Sequence, residues 1–366
     1  MFHQSSYIES KVLLFLEGLR RHPEAFKISS ASLISSLSMD HEPPFQETYE
    51  NLLHLPYDHE PKDESVFMVE ECDLPMIDLS RLDLERGKCI KEIARAAREW
   101  GFFQVVNHGV SQEVLSSLKY EQTKVFRLPF KKKMEDDFLN SSAKSYRWGN
   151  SKATSLKQVP WSEAFHFSIS DISRMNGYKS LRSAIEAFTI VVSGLAQSLA
   201  EILAQILGIE STYFRETCPP NMSYLRMNRY PPCPFTPEVF GLVPHTDSSF
   251  LTILYQDQVG GLQFMKDRKW FRVKPNPEAL IVNVGDLFQA LSNDVFKSIK
   301  HKVVSTRDVE RFSVAYFYCP SAEAVIQSCT KPALYKQFSF REYQQQTQKD
   351  VQDTGCKVGL SRFLLL

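Results

Sequence analysis

The spacing of apolar positions changes character several times along the chain. Residues 1–70 hold no sustained period. Runs such as "HEPPFQ", "LPYDHEPKDES" and "SSASLISSLS" read as extended or disordered chain, with one short helix around residues 8–20. Order begins at "LPMIDLS" (74–80), a short strand. In "RGKCIKEIARAAREW", Ile90, Ile93, Ala94 and Ala97 share one helical face; Gly101 ends that helix and "FFQVVNH" returns as a strand. A second helix starts near Ser111. Residues 138–180 are polar, aromatic-rich and irregular, and a long amphipathic helix follows over about 182–207, closed by Gly208. From about 222 to 326 the period drops to two, broken by Gly, Pro and Asp turns. A last helix begins at Ser339, which has capping-box spacing with Glu342, and ends near Gly355. The pattern predicts a helix-rich first half wrapped around an all-β second half, with no repeats.

Composition narrows the partners. Of 366 residues, 43% are hydrophobic and 23% charged, enough apolar material for a sizeable core. Lys plus Arg (43) equals Asp plus Glu (43), so the basic excess of a nucleic-acid binder is absent. No apolar run approaches the ~18 residues of a membrane span, and the patch "VLLFLEGL" lacks the flanks of a signal peptide. Seven cysteines without a C-x-x-C pair suit a reducing compartment. The expected location is cytoplasmic, with the nucleus also open. "KKK" at 131–133 reads as a solvated patch, and His108 as a residue that closes a strand.

The period-two segment carries the candidate chemistry. In "VPHTDSSFLTIL", His245 and Asp247 stand two apart, on one side of an extended chain. Alternation in "KSIKHKVV" turns His301 toward the apolar side. In "SYLRMNRYPP" it groups Tyr224, Arg226, Asn228 and Tyr230; in "RFSVAYFY" it groups Arg311, Ser313, Ala315 and Phe317. Two imidazoles and one carboxylate on one face of a metal leave the opposite positions open, the arrangement of non-haem Fe(II) oxygenases. Arg311, Ser313 and the Tyr230 hydroxyl would meet the needs of a buried carboxylate, and a planar guanidinium suits it better than an ammonium. Each element alone has a bland reading: an H-x-D pair is commonplace, and an inward histidine is usually a core residue. Their combination on strands of compatible facing carries the inference.

At these residues the chain resembles the plant 2-oxoglutarate/Fe(II)-dependent dioxygenase superfamily. The likeness runs from about residue 74 to the C-terminus through "REWGFFQVVNHGV", "NRYPPCP", "PHTDSSFLTIL", "VGGLQF", "IVNVGDLFQALSN", "SIKHKVV" and "RFSVAYFYCP". It implies an α+β fold with a double-stranded β-helix (jelly-roll) core and flanking helices. His245, Asp247 and His301 are the implied Fe(II) ligands, with 2-oxoglutarate on Arg311, Ser313 and Tyr230. O2 is the implied oxidant, and ascorbate the reductant. The implied parts are a helix-rich region over 74–215, the jelly roll over 216–326, and a C-terminal helix and tail over 327–366. Residues 39–73 are an irregular segment. Residues 1–38 look like an added extension, because proteins of the subgroup named next tend to begin like "MDHEPPFQETYENLL".

Within the superfamily, "SYRWGNSKATSLKQVPWSEAFHFSISDI" (145–172) is most similar to gibberellin 2-beta-dioxygenases acting on 20-carbon gibberellins. That resemblance implies 2β-hydroxylation of a diterpenoid hormone, with succinate and CO2 as by-products. A rigid apolar substrate with carboxylates needs an aromatic pocket with polar anchors. Phe317 is a candidate wall and Arg226 a candidate carboxylate anchor, with an ordinary ion pair as its alternative. Tyr146, Trp148, Trp161, Phe165 and His166 form either a lid or wall, or a packing cluster under a long loop. Two further alternatives stay open: an oxygenase of a flavonoid or other plant metabolite, and a non-catalytic binder of gibberellin or 2-oxo acid. No membrane or nucleic-acid partner is expected.

Overall fold

The computed structural model describes residues 40–53, 69–136, 138–140, 145–175, 177–210, 212–236 and 238–365. The 1–38 extension and the helix expected near 8–20 lie outside the described residues.

Among the described residues an eight-stranded and a five-stranded sheet dominate. The strands are β1 (Glu71–Cys72), β2 (Met76–Asp78), β3 (Phe102–Val106), β4 (Tyr146–Trp148), β5 (Glu163–Ser168), β6 (Tyr224–Tyr230), β7 (Leu242–His245) and β8 (Leu251–Gln256). They continue with β9 (Leu262–Lys266), β10 (Lys269–Val273), β11 (Leu280–Val284), β12 (His301–Val303) and β13 (Arg311–Tyr318). The larger sheet runs β2-β3-β11-β8-β13-β6-β5-β4 and the smaller β1-β10-β9-β12-β7. Their ladders are antiparallel except β2–β3 and β1–β10. The longer helices are α1 (Phe45–Leu53), α2 (Arg86–Glu99), α3 (Gln112–Phe126), α4 (Lys179–Ile206) and α6 (Phe340–Thr354), with a short α5 (Asp286–Leu291).

The larger sheet is buried on both faces. Leu225, Met227, Val314 and Tyr316 join Phe188, Val192 and Leu199 of α4 in one core. Tyr230, Leu254 and Ala315, on the opposite face, pack with Phe264 and Val303 of the smaller sheet. This is why β6 and β13 read as almost wholly buried while still alternating. Helix α4 is long and apolar enough, by length and composition alone, to cross a membrane, against the expectation that no segment approached that length. Its buried side chains pack on the larger sheet and on helices α2 and α3. The expected capping box is present at Ser339 and Glu342, and Gly355 closes α6 in the left-handed conformation.

Three local expectations are overturned. The supposedly irregular 138–180 contains β4 and β5, which extend the larger sheet beyond β6. The β segment contains α5, begun where Gly285 lets the chain approach Ser249; a Cβ there would lie 2.0 Å from the Ser249 carbonyl oxygen. The irregular 39–73 segment contains α1, whose Phe45 and Tyr49, four apart, share a buried face. Phe45 stacks on Trp161 at 4.6 Å.

Lys133 is not solvated. It lies fully buried, 2.5 Å from Glu163, and donates to the carbonyls of His41 and Phe126. Arg229, on the helix-facing side of β6, pairs with Glu163 at 2.7 Å, Glu310 at 2.8 Å and Glu42 at 2.5 Å. Burial raises the Glu42 pKa, but hydrogen bonds from His41 and Arg229 outweigh that and bring it to about 2. Its contribution to stability is therefore complete above its ordinary 4.5 and fades only as pH falls toward about 2. Arg229→Leu leaves Glu163 buried with half its compensation. The expected loss is about 3–5 kcal/mol, read as a lower urea midpoint.

Candidate metal centre and substrate cavity

His245 ends β7 and His301 begins β12, and the two stand opposite each other in the antiparallel ladder. Their rings are 4.3 Å apart, centre to centre. Asp247 follows on the irregular connection to β8. One ligand atom from each of the three lies within 4.8 Å of the others. Asp247 Oδ1 is 3.8 Å from His245 Nε2 and 3.7 Å from His301 Nε2.

The backbone fixes the tautomers. His245 Nδ1 lies 2.8 Å from the Val243 carbonyl and His301 Nδ1 lies 3.0 Å from the Ile299 carbonyl. A carbonyl only accepts, so each Nδ1 holds the proton and each Nε2 presents a lone pair toward Asp247. Burial, reinforced by His301, pulls the His245 pKa down to about 3, which keeps it a neutral donor. Burial opposes ionisation of Asp247, but the two imidazoles and hydrogen bonds from Asn283 and Thr252 hold its pKa below the ordinary value. Asn283 Nδ2 is 3.1 Å from Asp247 Oδ2, which leaves Oδ1 facing the histidines. Two neutral nitrogens and one anionic oxygen, preset and convergent, fit a first-row divalent ion such as Fe(II).

The carboxylate site stands on the paired strands β6 and β13. Arg311, 1% exposed, lies opposite Tyr230, with its guanidinium 4.7 Å from the ring centre. Nη2 donates to Gln256 Oε1 at 2.8 Å, but Nε and Nη1 find no partner among the described residues. Buried donors left open on a cation are costly, and a carboxylate would close them. Ser313 Oγ accepts from Asn228 Nδ2 at 3.3 Å, so its own proton is available to the same ligand. These residues fit a bound 2-oxo dicarboxylic acid.

Comparison with known proteins points the same way. Residues 221–320 match the model of the 2OG-Fe(II) oxygenase superfamily, and residues 74–184 match that of the non-haem dioxygenase in morphine synthesis N-terminal family. Gibberellin 2-beta-dioxygenase 8 of Arabidopsis thaliana is 53% identical over 88% of this chain and 98% of its own length. The chain belongs to the 2-oxoglutarate/Fe(II) dioxygenases. It is closely related to the gibberellin 2-beta-dioxygenase group. Gibberellin 2-beta-dioxygenase 6 of Oryza sativa subsp. japonica shares 47% identity over 81% of this chain and 86% of its own. The structure of JOX2 in complex with 2OG, Fe and JA superposes with a TM-score of 0.66 at 30% identity, covering 83% of this chain and 94% of that one.

Beside the metal ligands the dioxygenase holds a cavity of about 550 Å³. Phe317 and Tyr224, stacked at 4.4 Å, line it, as do Arg226 and His166. Arg226 Nε donates to Asn228 Oδ1 at 2.8 Å. Arg226 has no carboxylate partner among the described residues, so its ordinary ion-pair alternative is not realised. Tyr146, Trp148, Trp161 and Phe165 do not line this cavity. Register explains the split: His166 pairs with Arg226 and shares its inward face, whereas Phe165 pairs with Met227 and points to the helix-side core. Tyr146 pairs with Phe165 and follows it outward, and Trp161 packs with Phe45. The same alternation brings Arg147, between Tyr146 and Trp148, to the cavity. Sequence reasoning missed Arg147 because the aromatics on either side drew attention; reading "YRW" with period two would have found it. Asn283 was also missed, although an Asn inside the buried run "LIVNV" was a readable signal.

Arg311→Lys keeps the charge and loses the fork. One charge-assisted hydrogen bond is worth about 1.5–3 kcal/mol, so half-saturating 2-oxoglutarate is expected to rise roughly 10- to 100-fold in a turnover titration.

Proposed function

We propose that this dioxygenase hydroxylates gibberellins at the 2β position, with 20-carbon precursors preferred, and so inactivates the hormone pathway. The observation that carries the reading is electrostatic. Two guanidiniums, Arg147 and Arg226, reach the cavity next to the metal ligands, and neither forms an ion pair among the described residues. Burial first, then the charges of Arg226 and Arg147, depresses the His166 pKa to about 4, so His166 adds no charge at neutral pH. The half-buried Arg226, the exposed Arg147 and the Tyr224–Phe317 aromatic wall together suit an apolar molecule that carries a carboxylate. The 20-carbon preference rests on the likeness of residues 145–172 to the subgroup acting on 20-carbon gibberellins. A neutral flavonoid would leave the half-buried Arg226 guanidinium without an anionic partner, which disfavours that alternative.

In this reading His245, Asp247 and His301 hold Fe(II), and Arg311, Ser313 and Tyr230 hold the distal carboxylate of 2-oxoglutarate. When bound, the iron and its co-substrate supply the O2-driven oxidation that couples decarboxylation to hydroxylation of an unactivated C–H bond. The chain supplies placement and dryness. Arg226 is fixed through Asn228 to Ser313, so the substrate anchor and the co-substrate site share one hydrogen-bonded row. Leu254, Ala315 and Val303 close the apolar side of the cavity, with both sheets contributing to a double-stranded β-helix interior.

The test is aerobic incubation with Fe(II), ascorbate and 2-oxoglutarate against 20-carbon and 19-carbon gibberellins, with the added oxygen located by mass spectrometry. A 2β-hydroxylated 20-carbon product, absent with His245→Ala, is expected. Succinate released without any gibberellin product would refute the hormone assignment and leave the dioxygenase intact. Arg226→Leu is expected to raise KM for the 20-carbon substrate roughly tenfold or more, the loss of one charge-assisted contact.

A further inference from the structure

Asp247 lies outside regular structure. Strand β7 stops at His245 and β8 starts at Leu251, so the polar groups of residues 246–250 have no strand ladder of their own. Besides Tyr318 of β13, whose carbonyl accepts from Phe250 N at 3.0 Å, and Asn283 of β11, two elements distant in sequence satisfy them. One is the start of α5: Asp286 N donates to the Asp247 carbonyl at 2.9 Å, and Gly285 N to the Phe250 carbonyl at 2.9 Å. The other is the chain segment after α6. Lys357 Nζ donates to the Thr246 carbonyl at 2.8 Å and to Ser248 Oγ at 2.7 Å. These are the residues on either side of the metal ligand.

The same ammonium lies 2.7 Å from Asp286 Oδ2. That oxygen also accepts from Thr246 Oγ1 at 2.9 Å and from the Tyr343 hydroxyl of α6. The Lys357 side chain is 10% exposed and Asp286 is 4% exposed, so the contacts are sheltered from solvent competition. An ammonium with three acceptors arranged around it has its donors fully used. Lys357 thus bridges both flanks of Asp247 and ties them to the residue that holds the Asp247 carbonyl.

We infer that Lys357 is a positioning residue for the metal ligand Asp247: the C-terminal segment reaches back and sets the loop that carries the carboxylate. Among the described residues Lys357 lines the cavity but bonds to Thr246, Ser248 and Asp286, and makes no hydrogen bond to His245, Asp247 or His301. Its effect runs through the loop, and it concerns the metal site, independent of whether the substrate is a gibberellin. A loop free to move would present Asp247 Oδ1 to the two Nε2 atoms only part of the time, and metal affinity would fall by that fraction.

The experiment uses the full chain and Mn(II), a redox-stable substitute for Fe(II), titrated under 2-oxoglutarate by loss of the free-ion electron paramagnetic resonance signal. Lys357→Met keeps the length of the side chain and removes its donors. It is expected to raise the half-saturating Mn(II) concentration about 10- to 100-fold, the range for contacts that orient metal ligands. Lys357→Arg is expected to recover part of that loss. Arg362→Met is the control. Arg362 anchors the same tail through Asp350 at 3.0 Å and makes no contact with residues 246–248. Unchanged Mn(II) binding in Lys357→Met, or equal weakening in Arg362→Met, would overturn the inference, the latter by making tail docking in general the cause. Should Lys357→Met not fold, Ser248→Ala removes one acceptor and leaves the lysine in place. It must weaken Mn(II) in the same direction, and wild-type affinity there would equally overturn the proposal.

Discussion

Strands β6 and β13 are buried on both faces, and much of the rest of the molecule is an accommodation to that constraint. Each residue of the ladder must be satisfied either by the helix layer or by the space between the sheets. Two guanidiniums make the demand most severe. Arg229 and Arg311 are each 1% exposed, and they leave the paired strands in opposite directions. On the helix side Arg229 collects three carboxylates, which draws Glu42, Glu163 and Glu310 together and fixes the segment before α1 against β5. Between the sheets Arg311 receives one neutral acceptor, Gln256, and two of its donor atoms stay open. The same chemistry is closed on one face and left open on the other. That asymmetry separates a structural cation from a ligand-binding one.

The metal site follows a related logic of prior arrangement. Both histidines spend Nδ1 on a carbonyl of their own chain two residues earlier, so ring orientation and tautomer are set before any ion arrives. Asp247 has one oxygen held by Asn283, itself on the central strand β11, and keeps the other for the ion. Little reorganisation is then needed on binding, and preset donors are what a catalytic metal site requires. Burial strengthens the arrangement by keeping His245 neutral, which a ligand nitrogen must be.

What could be read from the sequence was what depends on local periodicity. The facing of Tyr230, Arg311, Ser313 and His301 follows from alternation within one strand, and the start of α6 follows from Ser339 and Glu342. The missed features depend on partners far away. Lys133 looks solvated beside two other lysines, and it is Glu163, thirty residues on, with the carbonyls of His41 and Phe126, that makes its burial tolerable. Strands β4 and β5 hold their shape by pairing, β5 onto β6 and β4 onto β5, rather than by their own pattern. The aromatics of 145–166 carry two readings in the sequence, a lid or wall and a packing cluster. Their face was not legible, because it is set by the register with Arg226 and Met227. Helix α5 hides inside a strand-like run because the first N–H groups of its opening turn, those of Asp286 and Leu287, are taken by the carbonyls of Asp247 and Ser249.

The cavity and the metal ligands are therefore parts of one connected arrangement. Gln344, Thr347, Gln348 and Val351 place one face of α6 on the cavity, while Tyr343, from the same helix, reaches Asp286. Helix α6 thus touches the space where substrate would sit and, through Asp286, the loop that carries Asp247. Arg226 makes the corresponding link on the other wall, reaching Ser313 through Asn228. A substrate that fills the cavity presses on elements already joined to the metal site and to the 2-oxoglutarate site. The same space is lined by His245, Asp247 and His301, so the fit of a substrate and the geometry of the metal site are set together, and binding energy is converted into placement.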